Sequence, residues 1–367
     1  MKEKKIDKIF LAIVMTLILG GLAMFISASL GVLNRNEAMF YSVLRSQLIL
    51  GLGCGLVAMY LALKISYKTW SKYSFYIFIG SILLTAAVFI PGLGYTHLGA
   101  ERWIKVGTFS FQPVEILKFG FVIYFAAWLS WVKNRAQDFK FGILPLIIML
   151  AVIATILFKQ PDTKSFILIA VTGFSMLFIS GVPWKSILLL GFGSVAVLSV
   201  LVFYTPYLQQ RVKTFIDPSR DSLGSSYQIQ QSLIAIGGGG IWGRGYGQSI
   251  QKFSFLPEPQ GDSIFAVVSE ELGFVGAVGT IILYLLFILK GLRIANNSPD
   301  LFSRLLVSGI VILIGAQSFM HIASVVGVFP LTGVPLVFVS HGGTSLMIDL
   351  LAVGMVLQIS KFQRKNT

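Results

Sequence analysis

Residues 207–262 read YLQQRVKTFIDPSRDSLGSSYQIQQSLIAIGGGGIWGRGYGQSIQKFSFLPEPQGD and form the only long polar segment of an otherwise apolar chain. Connections longer than about 15 residues are usually functional or disordered. Disorder is disfavoured because aromatic and aliphatic side chains, such as Tyr227, Trp242 and Phe255, recur along the segment and can pack. The pattern therefore predicts a folded cap on the rest of the chain, with the chemistry located there.

The composition is that of a protein embedded in a lipid bilayer. Of the 367 residues, 55% are hydrophobic and 12% are charged, whereas soluble proteins carry about 25% charged residues. The net charge of +14 is explained by basic loops that orient membrane proteins and contact anionic lipids. We therefore expect membrane lipids, and no nucleic acid, as partners. The single cysteine, Cys54, excludes an intramolecular disulfide and a metal cluster built from thiolates.

Apolar runs of about 20 residues are long enough to span a bilayer. The chain contains ten of them, near 9–32, 44–63, 73–91, 112–132, 142–158, 165–182, 185–205, 263–289, 303–327 and 343–360. We predict an all-α integral membrane protein with ten transmembrane helices, in which residues 1–367 form a single polytopic domain. Residues 207–262 are then a long structured extracytoplasmic loop between helices 7 and 8. The N-terminal MKEKKIDK lacks a cleavage site after it, which indicates a retained first helix.

Lysine and arginine in the short connections set the orientation. They concentrate at one set of helix ends: Lys2, Lys4, Lys5, Lys8, Lys64, Lys68, Lys72, Lys133, Arg135, Lys140, Lys185, Lys290, Arg293, Arg304, Lys361, Arg364 and Lys365. We therefore expect both termini to be cytoplasmic and the 207–262 loop to face outward.

Ionisable groups within membrane helices are costly and usually functional. The Asp, Glu, Lys and His side chains that lie at least about one turn inside a predicted helix fall in its outward half: Glu115, Lys118, Glu270, Glu271, His321 and Asp349, together with the amide of Gln317. This distribution predicts a polar cavity under the loop and no polar path across the membrane.

Several of these groups have structural alternatives. Lys118 can pair with Glu115 at the i, i+3 spacing, or with Glu270 or Glu271 on another helix. Asp349 is expected to bond the Gly342–Gly343 turn. His321 and His341 are expected to be polar packing residues near the surface, since no histidine spacing favours zinc.

The glycine-rich stretch Gly237–Gly247, GGGGIWGRGYG, does not match a nucleotide-binding loop, because no buried strand precedes it and no lysine–hydroxyl pair follows it. Two interpretations remain open. Its backbone N–H groups can cradle an anion, with Arg244 inside the turn, or it is a tight turn between two re-entrant pieces.

Five segments carry a family resemblance: GAERWIKVGTFSFQPVEILK (99–118), FKQPDTKSF (158–166), RVKTFIDPSRD (211–221), the 50 residues from YQIQQS to ELGFVG (227–276), and GVFPLTGVPLVFVSHGGTS (327–345). They resemble the SEDS family, the FtsW/RodA type of bacterial cell-wall polymerase. GQSIQK before FLPE resembles the FtsW branch, which acts in cell division, more than the RodA branch.

The resemblance implies a ten-helix glycosyltransferase of the bacterial cytoplasmic membrane that polymerises lipid II into glycan strands. It also implies a class B penicillin-binding transpeptidase partner, other division or elongation proteins, and a catalytic aspartate at the end of the outer loop, here Asp262. The family's T-D-F-I-F-A, Q-P-S-E, Q-P-D-x-G-T and S-Y-G-G-S-S patterns appear as GDSIFA (261–266), QPVE (112–115), QPDTKS (160–165) and SHGGTS (340–345). Lys164 in place of glycine is the largest departure.

The chemistry agrees with this resemblance. Joining a sugar hydroxyl to a carbon that carries a lipid pyrophosphate needs a base and positive charge for the departing pyrophosphate. Asp262 suits the first role, and single displacement predicts inversion at the anomeric carbon. The candidate substrate-binding residues are Arg102, Trp103, Lys105, Glu115, Lys118, Arg211, Lys213, Arg244, Glu270 and Glu271. Arg102 and Trp103 have an alternative role as interface anchors.

The sequence shows no dedicated metal site, and no cofactor is required by its pattern. A divalent cation, Mg²⁺ or Mn²⁺, that bridges the pyrophosphate and Asp262 or Glu258 is left open.

Two other functions compete with polymerisation. A lipid II flippase would need polar groups at the midplane and on both sides, which the one-sided distribution disfavours. A non-catalytic membrane scaffold for a transpeptidase would use the loop as an interaction surface and would not need Asp262.

Overall fold

The computed structural model describes residues 5–97, 100–106, 109–217 and 226–363. This part of the chain is largely helical. The helices are α1 (Lys8–Leu33), α2 (Glu37–Arg45), α3 (Gly55–Lys64), α4 (Tyr67–Ala86), α5 (Pro113–Val132), α6 (Leu144–Lys159), α7 (Thr163–Ile179), α8 (Trp184–Tyr204), α9 (Pro206–Ile216), α10 (Tyr227–Gly238), α11 (Gln251–Ser254), α12 (Ile264–Asn296), α13 (Leu301–Val325) and α14 (Gly343–Ser360). A π-helical stretch, Ser46–Cys54, joins α2 to α3 in one continuous span.

Nine helical spans in the described ranges are long and apolar enough to cross a membrane. The remaining predicted span is α7, an apolar helix of 17 residues, about 26 Å long at 1.5 Å per residue. The hydrocarbon core of a bilayer is about 30 Å thick. The helical membrane class is therefore confirmed, and the count of ten crossings stays a prediction.

Polar side chains at the helix starts explain where several helices begin. Asp7 accepts hydrogen bonds from the N–H groups of Ile9 and Phe10 at the start of α1. Asp162 caps α7, and Asp300 forms a reciprocal capping box at α13. Each cap satisfies N–H groups that have no partner within the first helical turn.

The helices form a bundle with an uneven core. Helices α13 and α14 lie at its centre, with 78% and 83% of their most apolar stretches buried. Helix α12 packs against α1 and α13, and α14 packs against α3. None of the described side chains of α8 is buried, and this helix contacts mainly its neighbours α7 and α9. It therefore stands at the edge of the bundle.

The two ends of the bundle are different. At one end, the Asp7 carboxylate forms an ion pair with Lys290 at 3.0 Å, and the backbone N–H of Asp7 donates to the hydroxyl of Ser360. We call this end the terminal face. The other end carries the 207–262 segment and is called the loop face. In the described part of that segment α10 packs on α12 and α13, and α11 packs on α1. Helices α10 and α11 of the segment are therefore folded against the membrane helices, and the structured loop as a whole stays a prediction.

A three-stranded antiparallel sheet between α4 and α5 also belongs to the loop face. Its strands are β1 (Gly94–His97), β2 (Ala100–Val106) and β3 (Phe109–Phe111), in that order. Tyr95 lies opposite Trp103, and Ile104 lies opposite Phe111. The all-α prediction missed this sheet because each strand is shorter than the apolar runs that revealed the helices.

Candidate active site

Asp262 ends the 207–262 segment one residue before Ser263, the N-cap of α12. The hydroxyl of Ser263 donates to the carbonyl of Pro257 at 2.9 Å and accepts from the amide of Gln228 at 3.0 Å. The hydroxyl of Ser340 donates to the carbonyl of Gly261 at 2.9 Å. These bonds hold the backbone on both sides of Asp262. The departure from the family pattern at Ser263 therefore serves to anchor the turn.

The carboxylate of Asp262 is half-buried and faces Gly333. A Cβ atom added to Gly333 would lie 2.8 Å from Oδ2 of Asp262, which is closer than real Cβ contacts, and Gly333 has a φ of +63°. Only glycine adopts this conformation without strain and leaves room for the carboxylate.

Gly333 belongs to the non-helical connection 326–342 between α13 and α14. Side chains of the surrounding helices form hydrogen bonds with carbonyl oxygens of this connection. Nδ1 of His321 lies 2.7 Å from the oxygen of Val334, and Nε2 of Gln317 donates to Pro335 at 3.3 Å. Such pairing is required of irregular backbone within a membrane protein. The connection is therefore a rigid wall for the carboxylate of Asp262.

Three cations are attached to backbone near this carboxylate. Lys164 donates to the carbonyl of Gly333, and Arg211 donates to the carbonyl of Leu331. Arg102 donates to the carbonyls of Gln160, at 2.7 Å, and Pro161, in the turn that leads into α7 and Lys164. Arg211 is thus bonded to the connection that faces Asp262, and Arg102 to the turn before Lys164; a role for either in substrate binding stays a prediction. Lys164 was noted as a departure from the pattern, and its contribution to the site was missed.

The other predicted loop-face residues make no contact with Asp262 among the residues described. Trp103 is half-buried in β2, and Lys105 is exposed with its ammonium 5.6 Å from the centre of the Tyr95 ring. Lys213 is exposed on α9. A role for these three residues in substrate binding stays a prediction.

Glu115 and Lys118 form a second, buried polar cluster. Nζ of Lys118 lies 2.8 Å from the Glu115 carboxylate and donates to Oε1 of Gln317 at 2.6 Å. Ser345 donates to Glu115 at 3.0 Å and to Asp349 at 3.4 Å. The i, i+3 alternative for Lys118 is therefore correct, and the pairing with Glu270 or Glu271 is wrong.

The expected bond between Asp349 and the Gly342–Gly343 turn is also wrong. The N–H of Gly342 donates to the side chain of Gln47 at 3.0 Å instead, and Asp349 interacts with the serine one turn earlier on α14.

Glu270 and Glu271 belong to a third cluster, together with the glycine-rich turn. Nζ of Lys252 lies 2.6 Å from the Glu271 carboxylate, and both side chains are fully buried. Nζ of Lys252 also donates to Ser27 and to the carbonyl of Gly247, both at 2.9 Å. Lys252 was not singled out in the sequence. Its location in a polar loop concealed the fact that its side chain enters the bundle.

The end of the glycine-rich turn and the residues just after it bind the carboxylates of the protein's own Glu270 and Glu271. The N–H of Gly247 donates to Glu271 at 2.9 Å, and the N–H of Ile250 donates to Glu270 at 3.0 Å. Arg244 pairs with Glu270 at 3.3 Å. These groups are therefore committed to each other, and a direct role in binding substrate stays a prediction for Arg244, Glu270 and Glu271.

The turn also fills a break in α12. Gly273 interrupts the helix with φ +68° and ψ −167°. The N–H groups of Arg244 and Gly245 donate to the carbonyls of Glu270 and Glu271, and the N–H groups of Phe274 and Val275 donate to the carbonyls of Gly240 and Ile241. Gly243 and Gly273 are so close that a Cβ on either would lie 2.2 Å from backbone of the other segment. The broken helical bonds are thus replaced by bonds to the turn.

The two histidines differ in environment. His321 is buried in α13 beside the carbonyl of Val334, so the prediction of a surface position is wrong for it. His341 stacks on Phe25, and its backbone N–H donates to Gln260 at 2.7 Å. Burial lowers the pKa of His341 from 6.5 to about 4.

A mainly apolar cavity of about 810 Å³ lies between α7, α8, α12 and α13, with Arg293 and Arg304 in its lining. These arginines flank the α12–α13 connection, away from the loop face. The cavity is therefore separate from Asp262 and is not the polar cavity that the sequence predicted under the loop.

The fold and these clusters define a class: a polytopic helical membrane protein whose reactive polar groups gather at one face of the bundle. The model of the FtsW/RodA/SpoVE family, described as cell cycle protein, matches residues 7–365. The chain belongs to this family, and the predicted resemblance is confirmed.

Similar proteins support the same assignment. The chain is 36% identical to the stage V sporulation protein E of Bacillus subtilis (strain 168), over 99% of this chain and 100% of that protein. It is 35% identical to a probable peptidoglycan glycosyltransferase FtsW of Geobacter sulfurreducens (strain DL-1 / KN400), covering 97% of this chain and 95% of the relative. The FtsW name of the second relative agrees with the predicted FtsW-like branch.

Two solved structures share the fold. A chain from a study of the structural coordination of polymerization and crosslinking by a peptidoglycan synthase complex superposes with a TM-score of 0.79. It is 26% identical and covers 97% of both chains. A mutant of the rod-shape-determining protein RodA of Thermus thermophilus superposes with a TM-score of 0.71 at 24% identity, covering 98% of this chain and 99% of that one.

Proposed function

We propose that this protein is an inverting glycosyltransferase that polymerises lipid II into peptidoglycan strands, with Asp262 as the general base. The observation that carries the proposal is the state of the Asp262 carboxylate. It is half-buried, it stands against backbone to which Lys164 and Arg211 are bonded, and no cation among the described residues lies within 4 Å of it. Its acceptor capacity is therefore available to a substrate.

The other carboxylates discussed above are unsuited to this role because they are occupied. Glu115 pairs with Lys118, and Glu271 pairs with Lys252, in both cases within the protein interior. Asp162 caps α7 through Ser165. A general base must reach the proton that it removes, and Asp262 meets this condition at the loop face.

The reaction follows from this arrangement. The acceptor sugar hydroxyl gives its proton to Asp262 as its oxygen attacks the anomeric carbon of the donor, from the face opposite the pyrophosphate. The carbon–oxygen bond to the pyrophosphate breaks, and the pyrophosphate leaves with the electron pair. A single displacement inverts the anomeric centre. In this proposal Arg102 and Arg211 supply positive charge to the leaving group as its negative charge increases.

Location and partners follow from the same proposal. The protein lies in the bacterial cytoplasmic membrane with its loop face outward and both termini in the cytoplasm, as the basic connections predict. A class B penicillin-binding transpeptidase crosslinks the strands that it makes, in the setting of septal wall synthesis with other division proteins. The FtsW and peptidoglycan synthase likenesses support this assignment.

The test is a gel assay of labelled lipid II with the purified protein in liposomes, with and without a transpeptidase partner. Asp262→Asn should reduce the rate of polymer formation by at least about 10²-fold, the contribution of one acid–base group. Asp138→Asn is the matched control, because it makes the same change at an exposed aspartate outside the site and should leave the rate unchanged.

Equal rates for Asp262→Asn and the wild type would remove Asp262 from the mechanism. If the wild type makes no polymer with any partner but moves lipid II between leaflets, the protein is a flippase. Orientation is tested separately, by labelling single cysteines placed in the exposed loops of a Cys54→Ala variant.

A further inference from the structure

Lys164 is the cation most directly associated with Asp262. Its ammonium donates to the carbonyl of Gly333 and lies 3.7 Å from the position that a Cβ of Gly333 would take. Oδ2 of Asp262 lies 2.8 Å from the same position. The ammonium and the carboxylate are therefore within about 6.5 Å of each other, with no direct ion pair between them. A phosphate oxygen placed between them would contact the ammonium directly.

Hydrogen bonds around the start of α7 hold Lys164 in this position. Asp162 accepts from the N–H of Ser165 at 3.3 Å and from its hydroxyl at 2.8 Å, which fixes the first turn of α7. Arg102 holds the preceding turn through the carbonyls of Gln160 and Pro161. Lys164 thus extends from an anchored helix start towards the Asp262 site.

Mg²⁺ at a phosphate site is usually held by one or two carboxylates together with the substrate phosphates, and Lys164 makes such binding at Asp262 unfavourable. The carbonyl of Gly333, which could otherwise serve as an oxygen ligand, already accepts from Lys164. A divalent ion bound to Asp262 would also be repelled by the Lys164 ammonium, whose nitrogen lies within about 6.5 Å of the Asp262 carboxylate.

We propose that the Lys164 ammonium takes the place of a divalent cation in this protein by pairing with the pyrophosphate of the lipid-linked donor. This inference rests on the proposed glycosyl transfer and identifies the group that stabilises its leaving group. As the carbon–oxygen bond breaks, the pyrophosphate gains one negative charge, and the Lys164 ammonium meets it while the hydroxyl proton goes to Asp262. A fixed ammonium provides this stabilisation without binding a metal.

The experiment compares the wild type with Lys164→Met, Lys164→Gly and Lys164→Arg, and with Lys185→Met as the matched control. Lys185 is exposed at the start of α8, outside the site. Initial rates of lipid II polymerisation are measured in excess EDTA and in millimolar Mg²⁺ or Mn²⁺. The wild type and Lys185→Met should keep their rates in EDTA within about 3-fold.

The initial polymerisation rate of Lys164→Met in EDTA should be at least about 10²-fold lower than that of the wild type, as when one preorganised donor is removed. Lys164→Gly leaves the space of the lysine side chain empty. Added Mg²⁺ or Mn²⁺ should therefore raise the polymerisation rate of this variant at least about 10-fold above its rate in EDTA. Lys164→Arg should retain most of the wild-type rate in EDTA. Loss of the wild-type rate in EDTA, to the same degree as in Lys164→Gly, would overturn the proposal.

A binding measurement separates this inference from the proposed activity. The probe is a short-chain polyprenyl pyrophosphate in metal-free buffer, and its affinity is measured by calorimetry. Lys164→Met should weaken binding at least about 10-fold relative to the wild type and Lys185→Met, and the corresponding polyprenyl alcohol should show no such difference. Equal affinities of the wild type and Lys164→Met for the pyrophosphate would refute the pairing, whether or not the protein polymerises lipid II.

Discussion

Breaking the buried ion pair between Lys252 and Glu271 should strongly destabilise the loop face. Both side chains have no exposed surface, and the two atoms are 2.6 Å apart. Lys252→Met keeps the apolar stem but leaves the Glu271 carboxylate with only Ser27 and backbone N–H donors. Removal of one partner of a buried pair costs about 3–5 kcal/mol.

Thermal unfolding of the purified protein in detergent measures this loss. One kcal/mol shifts the midpoint by roughly 2–4 °C in proteins of 150–250 residues and by less in larger ones. For this chain of 367 residues we therefore expect a decrease on the order of 5–10 °C. Lys290→Met is the matched control, because its pair with Asp7 has a similar distance of 3.0 Å but side chains 18% and 15% exposed. Loss of this pair should cost about 1 kcal/mol or less.

A double-mutant cycle completes the test. Glu271→Gln should also destabilise the protein, and Lys252→Met with Glu271→Gln should cost less than the sum of the two single changes, because the uncompensated carboxylate is gone. Equal shifts for Lys252→Met and Lys290→Met, or full additivity in the cycle, would refute the reasoning.

Two further predictions concern the connection between α13 and α14. Gly333→Ala should slow polymerisation about 10- to 100-fold, because its Cβ would displace the Asp262 carboxylate; an unchanged rate would show that Gly333 does not position Asp262. His341→Tyr, which restores the family pattern, should reduce the acid sensitivity of the protein. The folded-state pKa of His341, about 4, is below its usual 6.5, so its contribution is fully present above pH 6.5 and is lost as the pH falls towards 4, up to roughly 3 kcal/mol. Unfolding midpoints at pH 7 and pH 4.5 should therefore differ less in His341→Tyr than in the wild type, and equal differences would exclude this histidine as the cause.

The membrane helices could be predicted from the sequence because each is a long apolar run that needs no partner to be recognised. The span predicted at 343–360 matches α14 in full, and that at 185–205 matches α8 to within one residue. The pair of Glu115 and Lys118 was also accessible, since the i, i+3 spacing on one helix is a local property.

The sheet and the polar clusters depend on contacts between residues far apart in the chain. Lys164 reaches Gly333 across 169 positions, and Lys252 reaches Ser27 across 225. Spacing in the sequence carries no information about such distances. One signal was present: Gly273 lies within an apolar helix next to two glutamates, and an isolated glycine in a helical pattern often has a packing reason. The close contact with Gly243 is that reason.

The break in α12 has a consequence for the order in which the protein is made. The glycine-rich turn that satisfies the freed backbone groups precedes α12 in the chain, so the ribosome releases it before the helix that requires it. Unpaired N–H and C=O groups are costly in lipid. Because chains are synthesised from the N-terminus, the hydrogen-bond partners of Phe274 and Val275 are already present when α12 enters the bilayer. If the glycine-rich turn followed α12 in the chain, the break would enter the bilayer while its hydrogen-bond partners were still inside the ribosome.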